Sequence, residues 1–316
     1  MTISKTALVC ALMAMLLTSC FRLGEQIEPQ VNYTVEERYL KNLPSSFSPL
    51  TESERKSSWG SEYLIAKHFA KELDLYRAIT TYKRALILLS NPQNPRYGEM
   101  EYDIFLSYYL GKRYADALNF YTQSELVHTD YQFKAYHDLL VILYECYLKE
   151  DDQQHAGAIF YLLAKNYPET AEKIKVSTAL TVGDLAYLKA SHFSQDQEIN
   201  GMITHFNQHK KSVHKAQLLN ACLPGAGYLY VGQKQSALTA FLLNGLFIYS
   251  SYAFFHKGFT AAGIITLSFE SGWYFGGIYG AGEAAKIYNE RLYENIAYPY
   301  LSKKNLFPVL MLKTSF

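Results

Sequence analysis

The sequence is poor in cysteine and has no surplus of charge of either sign. Four of its 316 residues are cysteine, and 30 Lys and Arg residues stand against 29 Asp and Glu residues, for a net charge of +1. So few cysteines exclude a disulfide framework. Because nucleic-acid-binding domains carry a basic surplus, a nucleic-acid partner is not expected either.

Familiar catalytic patterns are also missing. The chain has no Gly-x-Ser-x-Gly and no His-Glu-x-x-His sequence. His205, His209 and His214 have helical spacing, but no cysteine or carboxylate nearby completes a metal-ligand set, which favours a solvated basic face. We therefore expect no enzyme, no metal and no cofactor. A cell-wall hydrolase with an unrecognised site is a weaker alternative.

The N-terminus has the pattern of a secretory signal. Lys5 precedes the apolar residues 6–16, which are too few to span a bilayer, and the sequence Leu-Thr-Ser-Cys ends at Cys20. These four residues resemble the lipobox of bacterial lipoproteins. The resemblance implies cleavage of a signal peptide at residues 1–19, acylation of Cys20 with palmitate-type chains, and a lipoprotein anchored in the bacterial cell envelope that faces the periplasm. An uncleaved anchor helix is the alternative.

The next segment, residues 20–58, shows no sustained apolar period and contains three prolines, which predicts a lipid anchor followed by a flexible tether. Two cysteines, Cys146 and Cys222, then remain in the body of the chain. Both stand among apolar residues, which favours buried free thiols over a single bridge between them.

Residues 59–193 change to a helical period. Small and aromatic residues alternate at Ala66, Phe69, Ala78, Tyr82 and Ala85, an arrangement that resembles the tetratricopeptide repeat, with weaker units following at residues 108–121 and 140–168. The resemblance implies an all-α solenoid that binds a protein or peptide, closed by a capping helix over residues 177–192. An irregular helical bundle is the alternative.

The repeat resemblance also implies a binding groove lined by first-helix residues. We expect Tyr63, His68, Tyr108 and Tyr144 to line it and to contact envelope proteins or peptides.

The hydrophobic part of the chain follows. Residues 236–255 carry no charge, residues 259–282 carry only Glu270, and a polar turn at Lys257 separates them. Either run is long enough to cross a bilayer, so we predict a membrane-associated helical hairpin domain over residues 202–295 and a tail over residues 296–316. A soluble buried hairpin, an interfacial wedge and a partner-bound hairpin are alternatives, because basic residues flank the open end against the positive-inside rule.

Two features of the runs predict how the helices pack. Small residues recur every four positions and predict a close helix interface, either with membrane helices or by self-association: Ser268, Gly272, Gly276, Gly280 and Ala284. Folding about the turn places Asn244 and Glu270 at equal depth, which predicts a hydrogen bond between them.

The start of the hairpin domain carries a second resemblance. From Pro224 to Gly232 the chain is similar to the Pro-Gly-x-Gly-x-x-Tyr-x-Gly opening of small bacterial membrane domains that continue with two hydrophobic helices. The resemblance covers residues 215–289 and implies a membrane-embedded domain without assigned chemistry.

The sequence as a whole predicts an all-α protein, a tetratricopeptide-like helical solenoid followed by a hydrophobic helical hairpin. Its predicted function is that of an envelope scaffold, with repeats for protein partners and a hairpin for membrane lipid. The alternative is an oligomeric membrane channel or transport component that uses the hairpin and Glu270.

Overall fold

The computed structural model of the protein describes residues 24–31, 37–190 and 196–316. Over these residues the fold is entirely helical, and the one β-type pairing is an isolated bridge between Ser45 and Ser315. The predicted all-α class is therefore confirmed. The predicted signal peptide and the lipidation site Cys20 lie outside the described residues.

The chain forms two compact units. The described part of unit A comprises residues 24–31, 182–190 and 196–297, and that of unit B comprises residues 37–181 and 298–316.

Unit B consists of nine α-helices and a 3₁₀ turn within residues 37–182, followed by the C-terminal segment. The helices are α1 (Glu37–Asn42), α2 (Glu52–Lys56), α3 (Ser58–Lys71), α4 (Leu75–Leu89), α5 (Pro95–Leu110), α6 (Tyr114–Thr122), α7 (Tyr136–Lys149), α8 (Gln153–Asn166) and α9 (Pro168–Val182), with a 3₁₀ turn at Glu125–His128 between α6 and α7.

The pairs α3–α4, α5–α6 and α7–α8 are joined by the same three-residue turn. Its middle residue is left-handed each time, with φ of 59° at Leu73, 57° at Lys112 and 58° at Asp151. In the first turn the Leu73 N–H donates to the Ala70 carbonyl and the Asp74 N–H to the Phe69 carbonyl, and the other two turns repeat both bonds. This Schellman arrangement satisfies carbonyls at the end of the first helix and reverses the chain at the same point in each pair.

The contact between α3 and α4 is built from small residues around one ring. Ala66, Ala78 and Ala85 are fully buried, and Tyr82 fills the space between the helices with its ring centre 5.9 Å from that of Tyr63. Small side chains let the backbones approach, so an aromatic ring completes the seam.

The spacing of the pairs differs from the 34-residue period of the resemblance. First helices begin at Ser58, Pro95 and Tyr136, so successive pairs start 37 and 41 residues apart. The longer interval accommodates the 3₁₀ turn between α6 and α7, which buries Leu126.

The prediction of a flexible tether is wrong for residues 37–58. This segment contains α1 and α2 and buries Leu40, Phe47 and Leu50. The Phe47 ring centre lies 5.8 Å from that of Tyr102, so the segment covers the α5 helix. The prolines shorten its helices without preventing apolar side chains from packing.

The predicted tail is likewise packed. Residues 298–316 contain a 3₁₀ turn at Pro308–Met311 and bury Phe316. The buried Asp138 carboxylate of α7 accepts backbone N–H groups of Lys313 and Thr314 at 3.0 and 2.9 Å. These charge-assisted bonds fix the segment against unit B.

Unit A contains the remaining helices: α10 (Leu185–Ala190), α11 (Gln197–His209), α12 (Val213–Cys222), α13 (Ala226–Val231), α14 (Lys234–His256) and α15 (Thr260–Lys303), the last of which continues into unit B after Ala297. Gly183, with φ of 74°, interrupts the helical conformation between α9 and α10. The predicted continuous helix over residues 177–192 is therefore wrong. The predicted domain boundaries at residues 59, 193, 202 and 295 stay predictions.

Candidate functional site

Unit A contains a pair of helices whose exposed surface is mainly apolar. We call α14 together with residues 260–282 of α15 the apolar helix pair. Among the described residues, α14 is the one helix whose length and composition suit a membrane crossing, and 17% of its most apolar window is buried. The second run falls short of the same hydropathy because glycine, serine and tyrosine dilute its apolar residues.

Large apolar side chains of the pair face outward. At least a third of each of these residues is accessible: Leu238, Phe241, Leu242, Leu246, Ile248, Tyr249, Tyr252, Phe254, Phe255, Phe259, Ile264, Ile265, Leu267, Phe269 and Trp273. A contiguous apolar surface of this extent marks an interaction site on a folded protein.

The residues that the pair buries are small or polar. On α14 they are Ala237, Ala240, Asn244 and Ser251. On α15, Gly263 and Glu270 are buried seven residues apart, which places them on one face of the helix. A side chain at Gly263 would begin 2.8 Å from the Phe255 ring, so the helices touch closely near the turn at Gly258.

The predicted small-residue interface is not formed as a whole within unit A. Ser268, Gly272 and Gly276 are exposed, and no atom lies within 4 Å of where a Cβ would stand at either glycine. Only the end of the stripe is covered, because Ala284 is buried and Gly280 meets the Tyr228 hydroxyl. The physical reason is that the close seam runs along the face of Gly263 and Glu270, which leaves the glycine face uncovered.

An open groove of about 590 Å³ follows this glycine face. Its walls include Thr239 and Ala240 from α14, Trp273 from α15 and Tyr228 from α13. The groove is therefore wide enough for a side chain or an acyl segment to enter beside Gly272.

Asn244 and Glu270 are both buried, with 3% and 6% of their surfaces exposed. The predicted hydrogen bond between them is absent: the Asn244 amide nitrogen donates to the Ala240 carbonyl at 2.6 Å, while Asn244 Oδ1 and Glu270 Oε2 have no hydrogen-bond partner. These two buried polar side chains therefore form no hydrogen bond that would join α14 to α15. Packing of small residues is left to hold the two helices together.

The Pro224 to Gly232 motif packs at the open end of the helix pair. Gly225, with φ of 91°, stands where a Cβ would be 2.3 Å from the Ala237 carbonyl oxygen, and a Cβ at Gly227 would be 2.3 Å from the Ala216 carbonyl oxygen. Asn220 Oδ1 accepts the Gly225 N–H at 2.8 Å. Gly225 and Gly227 are thus required by backbone contact with α14 and α12, whereas at Gly232 the left-handed φ of 91° favours glycine.

Basic and aromatic side chains surround the same end. The Lys211 ammonium lies 4.9 Å from the centre of the Tyr230 ring, and that of Lys215 lies 5.1 Å from it. The Lys211 backbone exchanges two hydrogen bonds with the Asn289 side chain, at 2.7 and 2.8 Å. This rim of cations on tyrosine faces borders the apolar surface.

The histidines of α11 do not gather ligands. The rings of His205 and His209 stack with centres 4.2 Å apart, and the His209 ring nitrogen contacts the His205 carbonyl. Within residues 24–31, 37–190 and 196–316, no group of three or more His, Cys, Asp or Glu side chains has a metal-binding arrangement.

Two of the four residues predicted to line a partner groove are in the core of unit B. Tyr63 and Tyr108 are 3% and 8% exposed, and their hydroxyls accept hydrogen bonds from Lys67 and Lys83. Tyr63 shares a helix face with Ala66 and Ala70, a spacing that already indicates burial. Their predicted role as open groove residues is therefore wrong.

The other two predicted groove residues stay accessible. His68 is exposed on α3, and Tyr144 is half-buried on α7 with its ring centre 5.8 Å from that of Phe160. They lie on first helices of two different pairs.

Sequence reasoning missed a buried acid on α5. Asp103 is 1% exposed, and the Lys67 ammonium lies 3.9 Å from its carboxylate. Burial raises the pKa of Asp103 to about 6, against the attraction of Lys67. On the same helix burial raises the pKa of Glu101 to about 7. Because α5 is enclosed over residues 100–110, even acidic positions are forced inside.

The two cysteines are free thiols, as predicted, but only one is buried. Cys146 is enclosed in α7, where burial raises the pKa of its thiol, whereas Cys222 is exposed at the end of α12. The prediction of burial is wrong for Cys222, because the buried residues of α12 are Val213, Ala216 and Asn220.

Comparison with known proteins adds little about activity. No family model matches the sequence, and no solved structure matches it. An uncharacterized protein of Methanocaldococcus jannaschii is 27% identical over 117 residues, which are 37% of this chain and 94% of the archaeal protein. That similarity assigns neither a family nor a reaction.

The glycine contacts generate a first prediction. Gly227→Ala should destabilise unit A by about 1 to 3 kcal/mol, because its methyl group has no space against the Ala216 carbonyl. Thermal unfolding in detergent, followed by circular dichroism, measures the change. Gly245→Ala is the matched control, since its position is open and alanine favours a helix; equal loss in both variants would contradict the packing account.

A second prediction concerns pH. The pKa of Asp103 is higher in the folded protein than its ordinary value, so its stabilising contribution is present at pH 4 and is lost as pH rises through about 6. Asp103→Asn should remove this loss and raise the free energy of unfolding at pH 8 by about 1 to 3 kcal/mol. Urea unfolding at pH 4.5 and pH 8 measures it. The exposed Asp116 supplies the control Asp116→Asn, and identical pH slopes for the wild type and Asp103→Asn would refute the prediction.

Proposed function

We propose that this chain is a non-enzymatic lipoprotein of the bacterial cell envelope that holds protein partners on helical repeats and docks to a membrane through the apolar helix pair. The observation that carries the proposal is the outward apolar surface of that pair. Residues 235–255 of α14 carry no charge and extend over about 30 Å, which matches the hydrocarbon thickness of a bilayer.

Lipid suits this surface better than water does. The large exposed side chains are leucine, isoleucine, phenylalanine, tyrosine and tryptophan, and helical hydrogen bonds satisfy the backbone behind them. Helices in lipid associate through small residues, and the buried seam of Ala237, Ala240 and Gly263 has that composition. We therefore interpret the pair as a hairpin that enters the membrane.

Acyl chains on Cys20 supply a second anchor in this proposal. The residues before Cys20 resemble a lipobox, and one acyl chain alone binds membranes marginally whereas two signals together anchor durably. The protein would then face the periplasm, attached at both the lipidated end and the hairpin.

The repeats supply the scaffold. Three helix pairs with the same left-handed turn support a tetratricopeptide-like solenoid, although their spacing exceeds that of the family pattern. His68 and Tyr144 remain the accessible members of the predicted partner surface, which would take an envelope protein or peptide. The uncovered face of Gly272 and Gly276 is the surface through which hairpins would associate.

The anchoring proposal predicts the behaviour of a Cys20→Ala variant. It should lose incorporation of radiolabelled palmitate yet stay in the membrane pellet after alkaline extraction, because the hairpin still holds it. Adding Leu246→Lys and Ile265→Lys, which place charges at exposed centres of the pair, should release the Cys20→Ala protein.

Ile87→Lys and Leu88→Lys in the same background are the matched control, since both side chains are exposed on α4 of unit B. Release of Cys20→Ala by alkali without further change would contradict hairpin docking. Unchanged palmitate incorporation in Cys20→Ala would contradict lipidation at that residue.

A channel or transport component is the second candidate function, favoured by one observation. Glu270 is buried midway along the second apolar run with Oε2 lacking a hydrogen-bond partner, and ionisable residues at such depth often serve transport. A solitary carboxyl offers no relay, so the scaffold proposal treats it as a neutral packing group.

Glu270→Gln separates the two functions. In vesicles loaded with a pH-sensitive dye, the scaffold proposal predicts that wild type and Glu270→Gln both show the proton leak of protein-free vesicles. A wild-type proton flux that disappears in Glu270→Gln would establish the channel and reject the scaffold interpretation of Glu270.

A further inference from the structure

A second apolar element of unit A lies beside the helix pair. Helices α12 and α13 are joined by a turn at residues 223–225, and the whole segment from Ala216 to Gln233 carries no charge. We call residues 216–233 the α12–α13 turn segment.

Contacts with α15 give the direction of this segment. A side chain at Gly282 would begin 2.8 Å from Gln217, one at Gly277 would begin 3.2 Å from the Asn220 amide, and the Tyr274 hydroxyl donates to the Ala221 carbonyl at 2.6 Å. Later residues of α12 thus meet earlier residues of α15. Helix α12 therefore runs from the Lys211 rim toward the centre of the apolar helix pair.

The tip of the segment lies inside the apolar length of the pair. Gly225 packs on the backbone of Ala237, which is one turn into α14 from its charged start at Lys234. With a rise of 1.5 Å per residue, the contact of Gly225 with Ala237 and the hydrogen bond of Ala221 with Tyr274 place the tip about 5 to 10 Å inside that boundary.

The tip exposes apolar side chains. Leu218, Leu223 and Leu229 are 65%, 52% and 59% exposed, and Cys222 beside them is also exposed. Leu223 lies in the turn, whereas Leu218 and Leu229 lie on the helices before and after it, and water is an unfavourable neighbour for each of them.

Three hydrogen bonds within the protein satisfy polar groups at the tip. Asn220, 2% exposed, accepts the Gly225 N–H; the Ala226 N–H donates to the Leu223 carbonyl at 2.9 Å; and the Ala221 carbonyl accepts the Tyr274 hydroxyl. Irregular backbone is tolerated at membrane depth only when its polar groups are satisfied by the protein in this way.

The start of the segment carries the side chains that favour a lipid headgroup region. The ammonium groups of Lys211 and Lys215 lie over the Tyr230 ring, so the two cations and the ring are at one level. Lys234 is the first residue of α14, directly after the segment. Lysine and tyrosine are enriched at this border of a membrane.

We propose that the α12–α13 turn segment is a re-entrant wedge whose tip, with Leu223 and Cys222, inserts about 5 to 10 Å into the same membrane leaflet that the apolar helix pair enters, while Leu218 and Leu229 lie nearer the headgroups. The inference rests on the proposed function, because it assigns the boundary of the bilayer from α14 and α15. The partner of this surface is lipid, at the junction of headgroups and acyl chains.

Cys222 provides a native reporter for the test. In the full-length chain with Cys10→Ser and Cys20→Ser, Cys222 is the accessible thiol, since Cys146 is buried. We would label it with an environment-sensitive fluorophore and reconstitute the protein in phosphatidylcholine and phosphatidylglycerol vesicles whose acyl chains carry bromine either near the headgroup or near the chain end.

Two further proteins, each with one accessible thiol, calibrate the result; both carry Cys10→Ser, Cys20→Ser and Cys222→Ser and keep the buried Cys146. Leu246→Cys reports the centre of α14, and Ile87→Cys, 74% exposed on unit B, reports a position in water. We expect loss of emission from Cys222 with the shallow bromines, from Leu246→Cys mainly with the deep bromines, and from Ile87→Cys with neither.

The outcomes separate the two proposals. Emission from Cys222 that is no more quenched than that of Ile87→Cys, while Leu246→Cys is quenched, would overturn the wedge and leave hairpin docking intact. A blue-shifted Cys222 signal without bromine quenching would also overturn it, because protein would then cover the turn. Absence of quenching at Leu246→Cys would overturn both proposals.

Discussion

Unit A depends on one constraint: the two helices of the apolar pair bury small and polar residues and turn their large apolar side chains outward. Ala237, Ala240 and Gly263 occupy the seam, whereas Leu246, Ile265 and Phe269 stand in the open. In water this distribution leaves the greatest hydrophobic gain unrealised. In hydrocarbon it loses nothing, because close backbone packing is what brings helices together there.

Unit B follows the opposite rule. Its largest buried side chains include Tyr82, Tyr102 and Phe105, and its helix α5 is enclosed over residues 100–110. Enclosure removes water from the carboxyl groups of Asp103 and Glu101 and disfavours their charged forms, so burial raises their pKa values. One chain thus contains a unit with a conventional apolar core and a second unit with a surface suited to lipid. In the proposed scaffold, unit B binds partners and unit A docks to the membrane.

The Pro224 to Gly232 motif is the point in unit A where three helices pack closely together. Gly225 lets the turn before α13 approach the backbone of α14, and Gly227 lets α13 approach the backbone of α12. The motif therefore has a structural purpose here, the tight crossing of helices at a boundary of charge and aromatic rings.

Sequence patterns predicted the helical class because helical period is a local signal. They failed where the outcome depends on neighbours. Phe47 gave no sign that it would pack on Tyr102, so the segment before α3 was predicted as a tether. The stripe of Gly272 and Gly276 has interface composition, but which of two helix faces is covered depends on the partner helix, and the structure covers the face of Gly263 and Glu270. Tyr63 was placed in a groove although its spacing from Ala66 and Ala70 already matched the buried face.

The most direct test of the account is carbene photolabelling with a reagent dissolved in the hydrocarbon of vesicles that contain the full-length protein. The account predicts that the carbene attaches to peptides from residues 238–255, 259–273 and the 218–229 turn, and that peptides from α3 to α8 remain unlabelled. Labelling confined to other regions, or no labelling of the 238–273 peptides in vesicle-bound protein, would contradict it.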